Sequence, residues 1–268
     1  MQKEKILVLG KGFLGKAFEK KGFEVWDKSR FYQRVINYNL DEFGMRDYKT
    51  IINCIGKSNT RWCEKSENWE ETLFSNGEIP KILSNYCGLR NKKFVHISTG
   101  CLYDRNDVPQ RETDFIAAHC DYVVSKRVGE KNCNLERDLI LRPRLYFGDF
   151  ADKNNLLCKI PNFSVFLNEQ ESYTSVNIIV DAVERLLEAN QSGIFNVACE
   201  NYSSISEIAT WIGLEHKPKI TGEELRKKEN LYLVNNRLDI SKLKKFYNPP
   251  EIKEEITKCW SKLEKCGE

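Results

Sequence analysis

The stretch Lys5-Ile-Leu-Val-Leu-Gly-Lys-Gly-Phe-Leu-Gly-Lys-Ala-Phe-Glu-Lys-Lys21 decides the fold. The continuous apolar run Lys5 to Leu9 reads as a strand buried on both faces, since a sheet covered on both sides shows no polar alternation. In Gly10-x-Gly12-x-x-Gly15 the glycines let the backbone turn tightly and approach a pyrophosphate, which then sits at the amino end of a helix over Lys16–Lys21. Alone this spacing is weak. Placed directly after a strand and before a helix it predicts dinucleotide binding by Gly10, Gly12, Phe13, Leu14 and Gly15, against the plainer alternative of a structural glycine turn.

Working outward, strand and helix signals keep alternating. Phe23–Trp26, Thr50–Ile55, Lys93–Ser98, Asp138–Arg142 and Gly193–Val197 read as strands. Asn68–Cys87, Asp121–Glu136, Asn177–Asn190 and Ser204–Ile212 read as helices, with a further helix starting near Pro249. Buried strands separated by helices predict an α/β protein with a Rossmann-like, doubly wound parallel sheet. The pattern loses regularity after Pro143, so the expected division is 1–145 for the dinucleotide-binding domain and 146–268 mainly for a small C-terminal substrate-binding lobe. Helix 177–190 is expected to pack back onto the first domain. The interleaved lysines and glutamates from His216 onward read as solvated helix faces.

Composition narrows the class. The 268 residues are 41% hydrophobic, enough for a sizeable core. Forty-two basic against thirty-nine acidic residues leave a net charge of only +3, which weakens any case for nucleic acid or a membrane surface as partner. The early apolar run is too short for a signal peptide or a transmembrane span, and ten cysteines without a CxxC pair predict reduced thiols in the cytoplasm. No spacing suits a metal site.

The second strand ends near Asp27-Lys-Ser-Arg30. A carboxylate there suits the ribose 2′-OH, whereas Ser29 and Arg30 suit a 2′-phosphate. Arg30 is the better placed, so NADPH is expected, with NADH as the alternative and an ordinary polar turn as the uneventful reading.

Tyr122-Val-Val-Ser-Lys126 puts a phenol and an ammonium four residues apart, on one helix face. A free phenol with a pKa of about 10 is a poor proton shuttle, and a nearby lysine cation together with the nicotinamide's positive charge is expected to lower that pKa and make the phenol a usable acid or base. About twenty residues earlier, Ile97-Ser-Thr99 delivers hydroxyls to the carboxyl edge of the sheet, where ligands bind in such folds. Thr99 is thus expected to orient a substrate carbonyl that Tyr122 protonates.

With these motifs in this order, the chain resembles the extended short-chain dehydrogenase/reductases. Ile51-Ile-Asn-Cys-Ile-Gly56 looks like the family's strand beside the cofactor, which implies contacts from Asn53, Cys54 and Ile55. Asn76 sits where the family's helix asparagine supports the active site. Leu141-Arg-Pro-Arg-Leu-Tyr-Phe-Gly148 looks like the motif leading into the substrate lobe, and Asn236-Arg-Leu-Asp-Ile-Ser-Lys-Leu243 is similar to the late motif of dTDP-4-dehydrorhamnose reductases. Trp62-Cys-Glu64, Thr99-Gly-Cys-Leu-Tyr103 and Asn155-Leu-Leu-Cys-Lys-Ile160 look like motifs of the plant and giant-virus 3,5-epimerase/4-reductases that make UDP-L-rhamnose.

The resemblance implies substrate contacts at Thr99, Gly100, Arg144 and Asn155, and a nucleotide-sugar substrate; a homodimer is compatible with it. Lys126 would hold the nicotinamide ribose. Two departures stand out: a glycine loop one residue shorter than the family's, and a short segment from Asp104 to Asp121. A C4 ketone acidifies the hydrogens on C3 and C5, so an acid and a base can invert both centres before reduction removes the ketone. Alternation along an extended segment would point Cys101 and Thr99 the same way, making Cys101 the base, with Lys159 by resemblance as the acid. GDP-fucose synthases share the cysteine but use a histidine as the acid, and none occurs here between His119 and His216. The plain alternative for Cys101 is packing, as expected for Cys54, Cys87, Cys133 and Cys259. His96 reads as a core residue, and His119, on a loop before Tyr122, as facing solvent, with facing substrate as the alternative. Two rival functions keep the fold: an NAD-dependent nucleotide-sugar 4-epimerase or dehydratase, and a non-catalytic regulatory subunit.

Overall fold

The computed structural model describes residues 5–30, 40, 44–103, 108–117, 119–229 and 236–265. Residues 104–107 and 118, in the short segment before Tyr122, lie outside that set, as does 230–235 in the charged C-terminal stretch. The chain divides into two compact units, one of residues 1–102, 117–142 and 183–195, the other of 103–116, 143–182 and 196–268.

The first unit is organised by a six-stranded sheet: β1 (Ile6–Leu9), β2 (Glu24–Trp26), β3 (Thr50–Asn53), β4 (Lys93–Ile97), β5 (Leu139–Pro143) and β6 (Gly193–Val197), in the order β2-β1-β3-β4-β5-β6. The first five are parallel neighbours, with Leu9 opposite Trp26 on one side and Asn53 on the other. Every residue of β1, β3 and β5 is buried, which is why their sequences run apolar without alternation. The chain leaves β1 to one side for β2 and returns to the other for β3. That reversal is the topological switch point at whose carboxyl ends ligands bind in open α/β sheets. Leu7, Leu9, Trp26, Ile51, Leu83 and Phe94 form the core under this edge.

Helix α1 is Phe13–Lys20, three residues earlier in onset than its sequence suggests, because the glycine turn runs straight into it. The single helix expected over Asn68–Cys87 is interrupted. A short α2 (Trp69–Leu73) passes through a π-turn at Phe74–Glu78 into α3 (Ile79–Leu89). Helix α4 (Asp121–Lys131) ends before Glu136, because Asn134 donates its amide to the Asp138 carboxylate at 2.9 Å and starts a turn. Helix α5 covers Val176–Glu188.

In the second unit, Tyr146–Phe147 pairs with Thr174–Ser175, and Phe166–Leu167 with Lys219–Ile220. Helix α6 (Ile205–Trp211) opens on a capping box between Ser204 and Glu207, and α7 (Ile252–Lys265) begins just past the expected Pro249. Buried Asn196 accepts from the Tyr103 phenol at 2.8 Å and donates to the carbonyls of Gln110 and Asp239. It thereby ties the 103–116 segment to the 236–243 motif. Among the described residues, no helix is long and apolar enough to cross a membrane.

Candidate active site

Two constructions meet at the carboxyl edge of the sheet in the first unit. One is the glycine turn. Gly10 has φ +105°, and a Cβ there would stand 2.9 Å from the Ile55 amide nitrogen, so the turn lies flat on the end of β3. A Cβ on Gly15 would come within 1.9 Å of the Gly10 carbonyl oxygen, so only glycine lets α1 start this close to the turn. Gly12 is different: a Cβ there meets nothing, so the space in front of its backbone is open. Gly12 also caps α1 without any side-chain bond, and no acidic residue occupies the first turn. Phe13 and Leu14 have buried side chains and offer their amides instead. An open cradle of helix-start N–H groups with no competing carboxylate fits a dinucleotide pyrophosphate.

At the tip of β2, Ser29 donates both its amide and its hydroxyl to Asp27 Oδ1, at 2.8 and 2.7 Å. Those bonds hold the Asp27 carboxyl below the usual carboxylate range. The Arg30 guanidinium lies 4.0 Å from the centre of the Trp26 ring and is otherwise exposed. Asn53, expected on the cofactor, turns its side chain inward instead: it meets His96 Nδ1 at 3.2 Å and accepts from the Ile55 amide at 3.0 Å. His96 is the core residue its strand position predicts, stacked on Phe94, and burial together with the Lys126 charge pushes its pKa well down. Burial pushes the Cys54 thiol up, so it is a protonated packing group beside Lys126.

The second construction carries the titratable groups. Thr99 and Tyr122 are both nearly buried, with the Thr99 side chain beside the phenol. Burial, with a contribution from the Cys101 thiol, raises the Tyr122 pKa, whereas Thr99 works the other way. The phenol is therefore protonated at neutral pH. Lys126 is 4% exposed and donates to the Ile97 carbonyl at 2.9 Å; burial lowers its pKa to about 8. The hydroxyl of Ser98 is buried without a partner at the same edge.

Cys101 sits close enough to affect Tyr122, but not by alternation. Gly100–Leu102 is a 3₁₀ turn in which the Cys101 amide donates to Thr99 Oγ1 at 3.2 Å, so the extended-segment argument does not apply. His119, expected to face solvent, has both ring nitrogens buried.

The sequence pattern left most of the supporting framework unseen. The π-turn projects Asn76 inward, where Oδ1 accepts from the Lys57 amide and Nδ2 donates to the Lys57 carbonyl and to Ser125 Oγ. Ser125 donates onward to the Tyr122 carbonyl at 2.7 Å. Gly129 makes room for this, since a Cβ there would reach within 2.1 Å of the Asn76 carbonyl oxygen. Glu64 accepts from the amides of Asp121 and Tyr122 at 3.3 and 3.2 Å. Ser125 was given no role from the sequence, and Glu64, though part of the quoted Trp62-Cys-Glu64 motif, stands 58 residues before the amide it holds, so its role was not read either.

The remaining expected contacts lie in the second unit. Arg144 is buried with Nη2 on Glu171 at 2.7 Å. Asn155, read as a substrate contact, organises its own loop instead. Its Oδ1 caps the short helix Leu156–Lys159 and accepts from Gly148, while Nδ2 donates to the carbonyls of Gly148 and Phe150. With no exposed surface it has no group left for a ligand. Lys159 ends that helix and is exposed.

Comparison with known proteins agrees with this geometry. Residues 6–155 match the model of the NAD dependent epimerase/dehydratase family. Over 183 residues the chain is 28% identical to the "Probable low-salt glycan biosynthesis reductase Agl14" of Haloferax volcanii, a stretch covering 63% of this chain and 59% of that one. Among solved structures, the UDP-rhamnose synthase of Acanthamoeba polyphaga mimivirus superposes with a TM-score of 0.81 at 20% identity, covering 97% of this chain and all of that one. The dTDP-4-dehydrorhamnose reductase of Bacillus anthracis, solved with NADP, gives 0.79 at 17% identity over 96% of this chain and 99% of that one. At these identities the superpositions establish the fold.

Proposed function

Because the chain belongs to the NAD dependent epimerase/dehydratase family, we propose that it is an NADPH-dependent 4-keto reductase of a nucleotide-activated 4-keto-6-deoxyhexose, serving deoxysugar biosynthesis. The observation that carries this reading is the burial of Thr99 and Tyr122 together at the carboxyl edge of the sheet, with Lys126 one helical turn beyond Tyr122 and anchored on the Ile97 carbonyl. A buried neutral phenol is a proton donor, which is what reduction of a ketone needs and what oxidation of an alcohol does not.

The amides of residues 12–15 and, at the ribose, Lys126 would hold NADPH, which when bound would supply the hydride for C4. Thr99 orients the ketone oxygen. Tyr122 gives that oxygen its proton as charge develops there, and the Lys126 cation and the Thr99 hydroxyl stabilise the phenolate left behind. The relatives support the substrate class: one solved neighbour is a UDP-rhamnose synthase, and another is a dTDP-4-dehydrorhamnose reductase solved with NADP.

NADPH oxidation with a panel of UDP-, dTDP- and GDP-linked 4-keto-6-deoxysugars tests this, with products read by NMR. Tyr122→Phe keeps the ring and removes the proton, so turnover should fall by about 10³-fold or more. Undiminished turnover in that variant ends the mechanism.

The thiol of Cys101 close to Tyr122 favours one extension, 3,5-epimerisation before reduction. Cys101 would take the C3 and C5 protons, and protons drawn from solvent would return to the opposite faces. Cys101→Ala should stop deuterium exchange from solvent at both carbons while leaving reduction of a pre-epimerised sugar; absence of exchange in the parent protein would confine it to reduction.

A further inference from the structure

Helix α4 carries Tyr122 at its second position, so the direction of the phenol depends on how the helix begins. The first four amides of any helix lack intrahelical acceptors, and a serine, threonine, aspartate or asparagine usually answers them from the cap position. Here the cap residue is Cys120, a poor acceptor whose thiol faces the Val123 amide and Glu64 without forming a regular cap bond. The acceptor comes from elsewhere. Glu64 reaches across and takes the Asp121 amide on Oε2 and the Tyr122 amide on Oε1.

Glu64 is itself held by a built segment. The short helix Thr60–Cys63 is capped by Asn59, and Asn68 Nδ2 donates to the Trp62 carbonyl at 2.9 Å. The Lys57 ammonium lies 4.1 Å from the Trp62 ring centre. Lys57 is in turn clasped on both backbone groups by Asn76, the residue that also bonds Ser125 on α4. Tyr122 is thus gripped twice, through its carbonyl by Ser125 and through its amide by Glu64, while Lys126 one turn on has an independent anchor in Ile97.

We propose that Glu64 is a positioning residue for the proton donor: its carboxylate caps α4 and fixes Tyr122 relative to Thr99 without touching substrate or cofactor. A carboxylate is the favoured cap because the amino end of a helix carries partial positive charge. The kinetic part rests on the reductase reading above, and the structural part does not.

The test compares the parent protein with Glu64→Ala and Glu64→Gln; Gln keeps an acceptor oxygen at the same reach. Glu64 lies on the surface, so neither change opens a cavity. Misplacing the phenol by a fraction of an ångström should lower kcat of Glu64→Ala about tenfold, with the NADPH Kd unchanged because Lys126 and the glycine turn are untouched. Glu64→Gln should restore most of the rate. Residue-resolved hydrogen exchange should show faster exchange at the amides of 121 and 122 in the alanine variant, with α1 unchanged. A kcat equal to the parent's, an NADPH affinity that falls in step with kcat, or a glutamine variant as slow as the alanine one overturns the proposal. If the parent reduces none of the sugar nucleotides, the reductase reading has failed, and the exchange pattern alone decides: unaltered protection at 121 and 122 in Glu64→Ala then overturns the capping role.

Discussion

The glycine turn and the Thr99–Tyr122–Lys126 group stand at one edge of the same sheet, yet they are held in opposite ways. The turn is determined by what is missing. At Gly10 and Gly15 the missing Cβ lets backbone lie on backbone, and the contacts that fix the turn are steric. The hydroxyl group is determined by what is present. Hydrogen bonds from Asn76, to Glu64 and to the Ile97 carbonyl bring three separated segments to bear on α4, and Ser125 within the helix passes one on to the Tyr122 carbonyl. Steric specification fails abruptly, whereas a distributed network of bonds degrades by steps.

The sharpest break in that comparison should come inside the turn. Gly15→Ala drives a methyl to 1.9 Å from a backbone oxygen that cannot move without lifting the turn off β3. Overpacking of this kind costs about 1–3 kcal/mol, and the shifted amides should weaken NADPH binding by about 100-fold or more. Gly12→Ala is the control, since its methyl enters open space. Thermal stability should hold or rise slightly, because alanine restricts the unfolded chain more than glycine does. NADPH affinity should still fall, because the methyl stands where the pyrophosphate approaches. Fluorescence titration with NADPH beside thermal unfolding separates the two. Equal behaviour of the two variants would erase the distinction between a packing glycine and a ligand-facing one.

The contrast also explains what could be read in advance. The strand, turn and first helix follow from residues within about fifteen positions of one another, so period and glycine spacing suffice. Tyr122 and Lys126 were legible for the same reason, being one turn apart. Their support was legible only in part. Asn76 was read from the resemblance, but the π-turn that aims it inserts an extra residue that no 3.6-residue period reveals. Glu64 answers amides far along the chain. Asn53 and Asn155 show the reverse error. A polar residue in a motif invites a ligand, but both side chains are consumed by backbone amides or His96 once the chain folds. Cys101 was placed beside Thr99 for the wrong geometric reason, since a 3₁₀ turn replaces the extended segment.

A gentler break comes from pH, and only the hydroxyl group should feel it. Burial lowers the Lys126 pKa to about 8, so the ammonium is lost as pH rises through that value. The free-enzyme profile of kcat/KM should fall about tenfold per pH unit above it, if the cation is needed beside the phenol. Stability should move the other way. Between about 8 and the ordinary lysine value, the unfolded chain holds a proton that the folded chain has released, so raising the pH through this window favours the folded state. A rate that falls while the unfolding midpoint does not separates titration of Lys126 from alkaline denaturation. Lys126→Met should flatten the profile at a low rate, and a retained inflection near pH 8 would move the assignment to another group.

The smallest effect concerns the other end of the dinucleotide, at the β2 tip, where specification is mixed. Asp27 already accepts the Ser29 amide and hydroxyl on one oxygen, which leaves it a poorer partner for a ribose 2′-OH than a carboxylate with both oxygens free. Arg30 lies over the Trp26 ring with its guanidinium exposed, so much of its freedom is lost before any phosphate arrives. A guanidinium held in this way recognises a phosphate by charge and paired donors. Arg30→Ala should therefore lower the preference for NADPH over NADH about tenfold, the worth of one charged hydrogen bond, and leave NADH use nearly unchanged. Parallel steady-state kinetics with both cofactors measure that ratio. Raising the salt concentration should shrink the NADPH preference of the parent and barely touch that of the variant, because an exposed ion pair is screened where a packed glycine turn is not.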